Sequence, residues 1–574
     1  MTSFNRTVSV RLTSSFFFLF IVMAWGGNPD GSEQSWGAIT SMPLDVWTVD
    51  SLTRVQPDEQ PIRGSSEARL KAARNEFEAV QVILRSHTPL QGVSATVTDL
   101  TGAGDNRISK EHISLFREHY IRVSLPSPKS PFVPGWWPDA LIPFRDPDTH
   151  LPLAGGRFPA GTFDLEPERN QPLWVEVYVP TDTLAGPYSG VIHITINGRS
   201  VASVPLALEV WDFTLPRVPS VRSNFGGFER ATAFHHVSPE TPEHLRLVRR
   251  YDDSLIEHRL MPATLSVGAL SVAPDGTVDP RRAHSAIQHY MNHVGINSWR
   301  IPLGPRNPFP DTLGRDRERT MRYLRSLYTY MEGHGWGERI YIYPVDEPHT
   351  SEDYRQVREF AALAHEANRN IKLLLTDTPT PERPASKELF GAVKIWVVLF
   401  AGFDEAAVTK RLATGDEVWS YTALVQGNRP APHWQLDFPL LNYRVPLWIN
   451  WRYGLTGLLY WTTTYWKEMA DPWVDPLSYR HQYNGEGVLF YPGTAVGYDG
   501  PVPSIRLKAI RDGVEDYEYL KLLADRGDKA FADAAARRIA RSWSDWERNH
   551  RQILRVREEL AARIIELRRE KRLP

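Results

Sequence analysis

Two adjacent carboxylates are the residues best suited to chemistry in this sequence. Asp346 and Glu347 follow the strand-like stretch Ile340–Val345 and precede Pro348. An Asp-Glu dipeptide can be a solvated turn or can stabilise the N-terminus of a following helix. Carboxylates also serve as general acids and bases. The 574-residue chain contains no Cys, so thiol catalysis, zinc–thiolate sites and disulfides are excluded and the search for a site moves to such groups.

Aromatic residues are the second feature of interest, because the chain has 19 Trp. Trp396, Trp419, Tyr421 and Trp461 lie at or near the ends of stretches rich in strand-forming residues. Flat rings suit the apolar faces of sugars, so we expect these residues to bind a glycan substrate. The alternative is that they fill the core between strands and helices. Asp377, which follows another such stretch, is a further polar candidate for substrate binding.

Strand-like and helix-like segments alternate over residues 217–525. Eight alternations predict a (β/α)8 TIM-like barrel as the catalytic domain. A doubly wound open sheet is the alternative, but no glycine-rich phosphate turn follows any of these strands. The predicted strands are Val221–Phe225, Arg259–Thr264, Gly295–Ile301, Ile340–Val345, Ile371–Thr376, Val393–Val398, Glu417–Tyr421 and Gly457–Trp461.

Barrel geometry gives the carboxylate pair a position. Active sites of such barrels lie at the C-terminal ends of the strands. Asp346 and Glu347 follow the fourth predicted strand and so share a rim with the aromatic residues of strands six to eight. Thr350 and Asp353 then occupy capping-box positions at the start of a predicted helix. This arrangement favours a functional role for the pair.

The regions on either side of the barrel have other patterns. Residues 40–216 show period-two alternation in segments such as Glu76–Leu84 and Pro172–Pro180, which predicts an N-terminal β-sandwich domain. Residues 526–574 predict a C-terminal helical segment. The charged run within Ser504–Leu523 is interpreted as a helix that docks onto the barrel through Asp512, Glu515, Asp516 and Glu518, rather than as catalytic machinery.

The N-terminus predicts export. Arg6 and Arg11 precede the apolar run Ser15–Trp25, which is too short to span a membrane and is followed at once by turn-forming residues. We therefore expect a signal peptide over residues 1–27 and a periplasmic, cell-surface or secreted protein; an uncleaved N-terminal anchor or a buried strand is the alternative. No other stretch predicts stable membrane insertion of the mature chain.

The charge of the chain and the spacing of its possible metal ligands limit the kinds of partner that we expect. The formal net charge is -2 and no basic run occurs in the first 500 residues, so no nucleic-acid partner is expected. No clustered Asp/Glu/His ligand set occurs, and the adjacent His235 and His236 are poorly spaced for chelation. We expect neither a metal nor a cofactor, and a glycan or glycoconjugate as the partner.

Several motifs resemble the domain-of-unknown-function 4091 group, barrel proteins similar to glycoside hydrolase family 123, the β-N-acetylgalactosaminidases. The resemblance also includes the β-like segments of the first domain. It implies a retaining reaction in which the 2-acetamido group of the substrate is the nucleophile. The motifs are Tyr341–Pro348, Gly457–Trp466, Gly487–Gly493 and Ser504–Leu523.

The resemblance also implies roles for the pair. Asp346 would polarise the acetamide and stabilise an oxazolinium intermediate, and Glu347 would act as general acid and then as base. Two other hypotheses remain open. One is a two-carboxylate glycosidase of another glycan, with Glu347 paired to Asp377 or Glu229. The other is an exported, non-catalytic glycan-binding protein.

Overall fold

A computed structural model of the protein describes residues 44–61, 64–159, 161–228, 231–267 and 270–570. The predicted signal peptide over residues 1–27 and the candidate carboxylate Glu229 lie outside the described residues. Within those residues, none of the helices combines the length and the apolar character that a membrane span requires.

Twelve strands form the N-terminal domain. They are β1 (Leu44–Asp50), β2 (Ala68–Arg74), β3 (Glu76–Ser86), β4 (Leu90–Val97), β5 (Leu100–Thr101), β6 (Arg107–Ile108), β7 (Ile113–Val123), β8 (Gly135–Pro143), β9 (Thr162–Leu165), β10 (Asn170–Val179), β11 (Gly186–Ile196) and β12 (Arg199–Thr214). One sheet has the order β1-β3-β10-β7-β8, and the other has the order β2-β12-β11-β4-β9 with β5 and β6 attached.

The two sheets of this domain share one apolar core. Alternate residues of β3, Val80, Val82 and Leu84, are buried in the same cluster as Leu206 and Leu208 of β12. This is the pattern expected when side chains alternate between the two faces of a strand. The other face of β3 is buried as well, because it packs against the rest of the chain. The prediction of a sheet-rich N-terminal domain is confirmed.

Seven parallel strands form a nearly closed barrel. They are β13 (Arg222–Phe225), β16 (Trp299–Ile301), β17 (Ile340–Ile342), β18 (Lys372–Leu375), β19 (Ile395–Leu399), β20 (Glu417–Tyr421) and β21 (Gly457–Tyr460), in the order β13-β21-β20-β19-β18-β17-β16. Two short hairpins lie outside the barrel, β14 (Ser271–Val272) with β15 (Val278–Asp279) and β22 (Phe490–Pro492) with β23 (Pro501–Pro503).

The predicted second barrel strand, Arg259–Thr264, is not a regular strand among the described residues. The segment makes only an isolated bridge between Pro262 and Phe225 of β13, with hydrogen bonds from Phe225 N to Met261 O (2.9 Å) and from Ala263 N to Phe225 O (2.8 Å). Pro262 has no N–H to donate to a neighbouring strand. The expected eight-stranded closure is therefore replaced by seven strands and an irregular segment.

Eleven α-helices are assigned among the described residues. Helix α5 opens with the predicted capping box, in which Thr350 and Asp353 each bond the other's backbone N–H. The helices are α1 (Ala231–His235), α2 (Pro242–Glu257), α3 (His284–Gln288), α4 (Arg317–Gly333), α5 (Ser351–Ala367), α6 (Pro384–Lys387), α7 (Glu405–Ala413), α8 (Leu441–Tyr453), α9 (Ile505–Asp525), α10 (Lys529–Ile539) and α11 (His550–Glu570).

Helix α9 lies buried between the two domains and is held there by ion pairs. Arg506 makes two bonds of 2.8 Å to Asp139 of β8. Lys508 and Arg511 each lie 2.7 Å from Glu176 of β10. All of these groups are almost fully buried. The interpretation of the charged run as a docking helix is consistent with these contacts.

A second set of ion pairs holds the other side of α9. Arg444 of α8 binds both oxygens of Asp516, at 2.6 and 2.7 Å. Glu515 lies 3.1 Å from Arg259, and Glu518 accepts hydrogen bonds from the backbone and hydroxyl of Ser220. The acidic residues of the helix are thus used within the structure and are not free for catalysis.

Removing one partner of this network is expected to destabilise the fold in a pH-dependent way. Burial alone would raise the pKa of Glu176, but Arg511 and Lys508 lower it to about 2. The carboxylate therefore stabilises the protein fully above its usual pKa of 4.5, and this contribution is lost as the pH falls from 4.5 to 2. Glu176→Gln should lower the free energy of unfolding by about 3–5 kcal/mol at pH 7, because two buried cations lose their partner.

Urea unfolding at several pH values measures this effect. The deficit of the variant should shrink as the pH falls below 4.5. The control is Asp525→Asn, which breaks the exposed pair with Lys521 (2.6 Å) and should cost less than about 1 kcal/mol. A Glu176→Gln deficit no larger than that of the control would contradict the role of the buried network.

Candidate active site

Alternation along the barrel strands determines which side chains face the interior. Tyr341, Leu374, Ile395, Val397, Trp419, Tyr421 and Leu459 form one inner cluster, with Tyr343 and Leu399 packed against it. Residues between them along the strands, such as Ile342 and Val418, belong to the core outside the barrel. The side chains nearest the C-terminal strand ends on the inner side can therefore form a site.

Asp346 is held by two hydroxyl groups from this inner set. Thr376 Oγ1, at the end of β18, donates a 2.8 Å hydrogen bond to Asp346 Oδ1. Tyr343 OH, just beyond β17, donates to the same oxygen. The two hydroxyls lie 3.0 Å apart. Asp346 is otherwise exposed, so both hydrogen bonds fix Oδ1 and leave Oδ2 for a ligand.

Glu347 is fixed by its backbone and by one carboxylate oxygen. Its N–H donates a 2.8 Å hydrogen bond to Thr376 Oγ1, and Tyr421 OH donates to Oε1 at 2.5 Å. Its φ of 39° lies in the left-handed region, which non-glycine residues adopt at a cost. The second oxygen, Oε2, lies 4.0 Å from His349 Nε2, and the side chain is 40% exposed. Thr376 thus holds both members of the pair.

The two tyrosines act as donors. Burial raises the pKa of Tyr421 above its usual value, and the negative charge of Glu347 adds to the shift. Burial followed by the charge of Asp346 likewise raises the pKa of Tyr343. Both hydroxyls stay protonated at neutral pH and can donate to the carboxylates.

The structure corrects two of the aromatic predictions. Trp396 is fully buried, belongs to the core outside the barrel and donates from Nε1 to Asp416 Oδ2 (3.1 Å), so it does not line the rim. Trp419 faces the interior but is fully buried. Its ring packs against Tyr341, and a Cβ at Gly457 would lie 2.2 Å from it. Trp419 supports the site from within the core and is not available for stacking.

Trp461 keeps a position that suits substrate binding, whereas Tyr421 is buried and its hydroxyl is bonded to Glu347. Trp461 follows β21 two residues after the inward-facing Leu459 and is partly exposed. Its Nε1 donates a 2.8 Å hydrogen bond to Oε1 of the fully buried Glu486, which also accepts from Gln435 Nε2. The indole is therefore held at the mouth of the barrel by a buried carboxylate.

Asp377 is bound by side chains outside the carboxylate pair. It lies beyond the end of β18, where its N–H donates a 3.1 Å hydrogen bond to Leu375 O. Its oxygens accept hydrogen bonds from Tyr354 OH (3.0 Å) and from Arg383 Nη1 (2.9 Å). Burial raises its pKa, opposed by these partners. Asp377 thus links the first turn of α5 to Arg383, the residue before α6. No hydrogen bond joins it to Glu347.

Sequence reasoning missed Tyr343 and Thr376. Both could have been found by extending the period-two alternation from Tyr341 and Leu374 to the strand ends, since the same inner face continues there. Arg300 of β16 lies near these residues, with its guanidinium 5.9 Å from the centre of the Tyr343 ring. Asn224 of β13 donates a 2.6 Å hydrogen bond to Tyr341 OH lower in the barrel.

Comparison with protein families matches both domains. Residues 52–196 match the glycoside hydrolase 123 N-terminal domain, and residues 314–523 match the glycoside hydrolase 123 catalytic domain. Together the matches cover more than half of the chain and include the carboxylate pair. The chain belongs to glycoside hydrolase family 123. As a family 123 chain it is a glycosidase acting on glycans.

Solved structures agree on the fold. A family 123 glycoside hydrolase from Clostridium perfringens, studied for glycolipid glycan hydrolysis, has 14% identity, covers 92% of this chain and 99% of its own, and gives a TM-score of 0.67. This likeness shows a shared fold alone. No curated protein sequence matches the chain.

Two other glycoside hydrolase structures are more distant. A family 39 enzyme from Bacteroides cellulosilyticus WH2 has 10% identity, covers 78% of this chain and 81% of its own, and gives a TM-score of 0.33. A family 5 xyloglucanase from Bacteroides ovatus has 8% identity, covers 78% of this chain and 98% of its own, and gives a TM-score of 0.29. Neither carries an argument about this chain.

The hydroxyl of Thr376 is expected to be required for activity. Thr376→Val keeps the shape but removes the bonds to Asp346 Oδ1 and Glu347 N. The loss should lower kcat by roughly 10- to 100-fold, the size expected for a hydrogen bond to a charged group. Steady-state kinetics on an aryl glycoside that the wild type cleaves measure the change.

Thr376→Ser is the matched control, because it keeps the hydroxyl and should retain most of the activity. A thermal unfolding midpoint near that of the wild type would show that the valine variant is folded. Equal activity of the valine and serine variants would contradict the positioning role of the hydroxyl.

Proposed function

We propose that this protein removes terminal β-linked N-acetylgalactosamine from a glycoconjugate by substrate-assisted, retaining hydrolysis. The observation that carries the proposal is the adjacent pair Asp346 and Glu347, each held by its own tyrosine and both held by Thr376. The choice of sugar follows from the resemblance to the β-N-acetylgalactosaminidases.

Adjacency of the carboxylates supports substrate assistance. The common two-carboxylate mechanisms place the groups about 5–9.5 Å apart on opposite sides of the scissile bond. Neighbouring residues that share an anchoring hydroxyl are poorly placed to flank the bond in that way. The other candidate partner with known contacts, Asp377, is already bound by Tyr354 and Arg383. An acetamide nucleophile supplied by the substrate removes the need for a second carboxylate across the bond.

In the first step, the cleavage of the glycosidic bond, Asp346 and Glu347 have different roles. Glu347, protonated on Oε2, gives its proton to the glycosidic oxygen while Tyr421 holds Oε1. The carbonyl oxygen of the acetamide attacks C1, the bond from C1 to the glycosidic oxygen breaks, and an oxazolinium ion forms. Oδ2 of Asp346 accepts the amide N–H and offsets the positive charge of the ion. The leaving alcohol departs with the proton from Glu347.

The second step reverses the roles of the groups. Glu347, now a carboxylate, removes a proton from water, and the water oxygen attacks C1. The bond from C1 to the acetamide oxygen breaks, which restores the acetamide and the protonated Glu347. Two displacements at C1 give net retention. The exposure of the Glu347 side chain leaves room for this water.

The remaining parts of the proposal concern substrate and location. The Clostridium perfringens structure was studied for glycolipid glycan hydrolysis. We propose that the substrate of this chain is likewise a glycoconjugate. We also propose that the protein is exported, because Arg6, Arg11 and the apolar run that follows have the form of a signal peptide. The substrate would then be met outside the cytosol.

Variants of the pair are expected to differ in their dependence on the leaving group. Glu347→Gln cannot donate a proton, so it should lose at least about 100-fold in kcat/KM on 4-nitrophenyl β-N-acetylgalactosaminide. The loss should be much smaller on the 2,4-dinitrophenyl glycoside, whose leaving group needs no protonation. Asp346→Asn should lose activity on both substrates to a similar degree, because charge stabilisation of the ion is needed in each case.

The matching β-galactoside, which lacks the acetamide, is the control substrate. The wild type should not cleave it. Full activity of Glu347→Gln on the 4-nitrophenyl substrate would overturn the assignment of the acid, and cleavage of the galactoside would overturn substrate assistance.

A further inference from the structure

Four aromatic side chains pack against one another, with their rings tilted or edge-on, just beyond the C-terminal end of β21. We call Trp461, Tyr465, Tyr479 and Tyr483 the aromatic platform. Their ring centroids are separated by 4.9 Å (461–465), 6.0 Å (461–479), 5.8 Å (465–479) and 6.4 Å (479–483). All four are partly exposed, in contrast to the neighbouring Trp466 and Trp473, which are buried. The platform therefore presents aromatic surface that the fold does not cover.

A tight turn presents the two outer tyrosines. Leu477 and Asn484 form an isolated bridge, and Ser478 N donates a 2.9 Å hydrogen bond to Tyr483 O. Between them Arg480 and His481 have φ values of 55° and 50°, two successive non-glycine residues in the left-handed region. Such backbone persists only where the surroundings enforce it, and it is concentrated at functional positions.

Glu468 connects a platform ring to this turn. Its Oε1 accepts a 2.7 Å hydrogen bond from Tyr465 OH. That bond, followed by the backbone of Arg480, lowers the pKa of Glu468, so the carboxylate lies beside both the Tyr465 ring and the strained turn. The platform is held in place before any ligand arrives, which reduces the entropy cost of binding.

The platform is continuous with the candidate active site through Trp461. Trp461 follows Leu459 by two residues, and Leu459 of β21 pairs with Tyr421 of β20. Tyr421 in turn donates to Glu347. A ligand bound in the barrel mouth would therefore meet the platform as it extends outward past Trp461.

We propose that the aromatic platform is a subsite for the sugar that follows the cleaved N-acetylgalactosamine, on the leaving-group side of the scissile bond. This inference rests on the proposed function for the position of that bond. The tyrosine rings would stack on the apolar face of the sugar. The exposed Arg480, whose guanidinium lies 5.2 Å from the Tyr479 ring centre, would reach the sugar hydroxyls. The enzyme would then prefer a glycan chain to a simple glycoside.

Two substrates that differ only on the leaving-group side test the subsite. The disaccharide N-acetyl-β-galactosaminyl-(1→3)-galactose fills it, whereas N-acetyl-β-galactosaminyl fluoride has no group to place there. Tyr479→Ala should lower kcat/KM for the disaccharide about tenfold, mainly through KM, and leave the fluoride within twofold. Tyr483→Ala should act in the same direction. Tyr330→Ala is the matched control, because Tyr330 is a partly exposed tyrosine on α4 that packs against His334. This variant should leave the ratio of kcat/KM for the disaccharide to kcat/KM for the fluoride unchanged.

Binding without turnover separates this proposal from the proposed function. In a Glu347→Gln background, calorimetry with the disaccharide should show binding that weakens about tenfold when Tyr479→Ala is added. If the wild type cleaves neither substrate, the proposed function fails and the calorimetric comparison still decides the subsite. Equal losses on both substrates, or disaccharide affinity unchanged by Tyr479→Ala and Tyr483→Ala, would overturn the subsite.

Discussion

Alternation of side chains along seven parallel strands is the constraint on which the candidate site depends. On each strand every second residue faces the barrel interior, and the last inward residue reaches the C-terminal rim. This places Tyr343, Thr376 and Tyr421 on one side of the strand ends. Asp377, one residue further than Thr376, lies beyond the strand and is bound by Tyr354 and Arg383. A shift of one residue in any of these strands would exchange the inward and outward side chains.

Helix α9 joins the barrel to the N-terminal domain. Its cations pair with Asp139 and Glu176 of the N-terminal sheet, and its Asp516 pairs with Arg444 of the barrel helix α8. Charges buried in this way are costly unless every partner is present. Arg506 of the same helix also donates a 2.9 Å hydrogen bond to Gly485 O, next to Glu486, so domain docking and the segment that holds Trp461 share one cation.

Much of this arrangement could be predicted from the sequence. Strand-like runs alternating with helix-like ones locate seven of the barrel strands, and Thr350 and Asp353 mark the start of α5. The carboxylate pair is found because it follows a strand. The prediction of Arg259–Thr264 as the second strand is wrong, because the pattern is strand-like while Pro262 prevents regular pairing. Trp396 was placed at the rim from its position near a strand end, although the alternation with Val397 turns it outward.

Other features depend on contacts between distant segments and leave no local signal. The positive φ of Glu347 is held by Thr376, 29 residues away. Trp461 gains its orientation from the buried Glu486. Trp419 can be fully buried because Gly457, on the next strand, has no side chain that would occupy the space of the indole ring. Each of these requires the register between strands, which a single sequence does not contain.

The central claim is that the acetamide of the substrate is the nucleophile and that Asp346 and Glu347 assist it. A series of 4-nitrophenyl glycosides bearing N-acetyl, N-fluoroacetyl, N-difluoroacetyl and N-trifluoroacetyl groups tests it most directly, because each fluorine withdraws electrons from the attacking carbonyl oxygen. The account predicts that log kcat/KM falls steeply with each added fluorine. A value that stays the same across the series would contradict it.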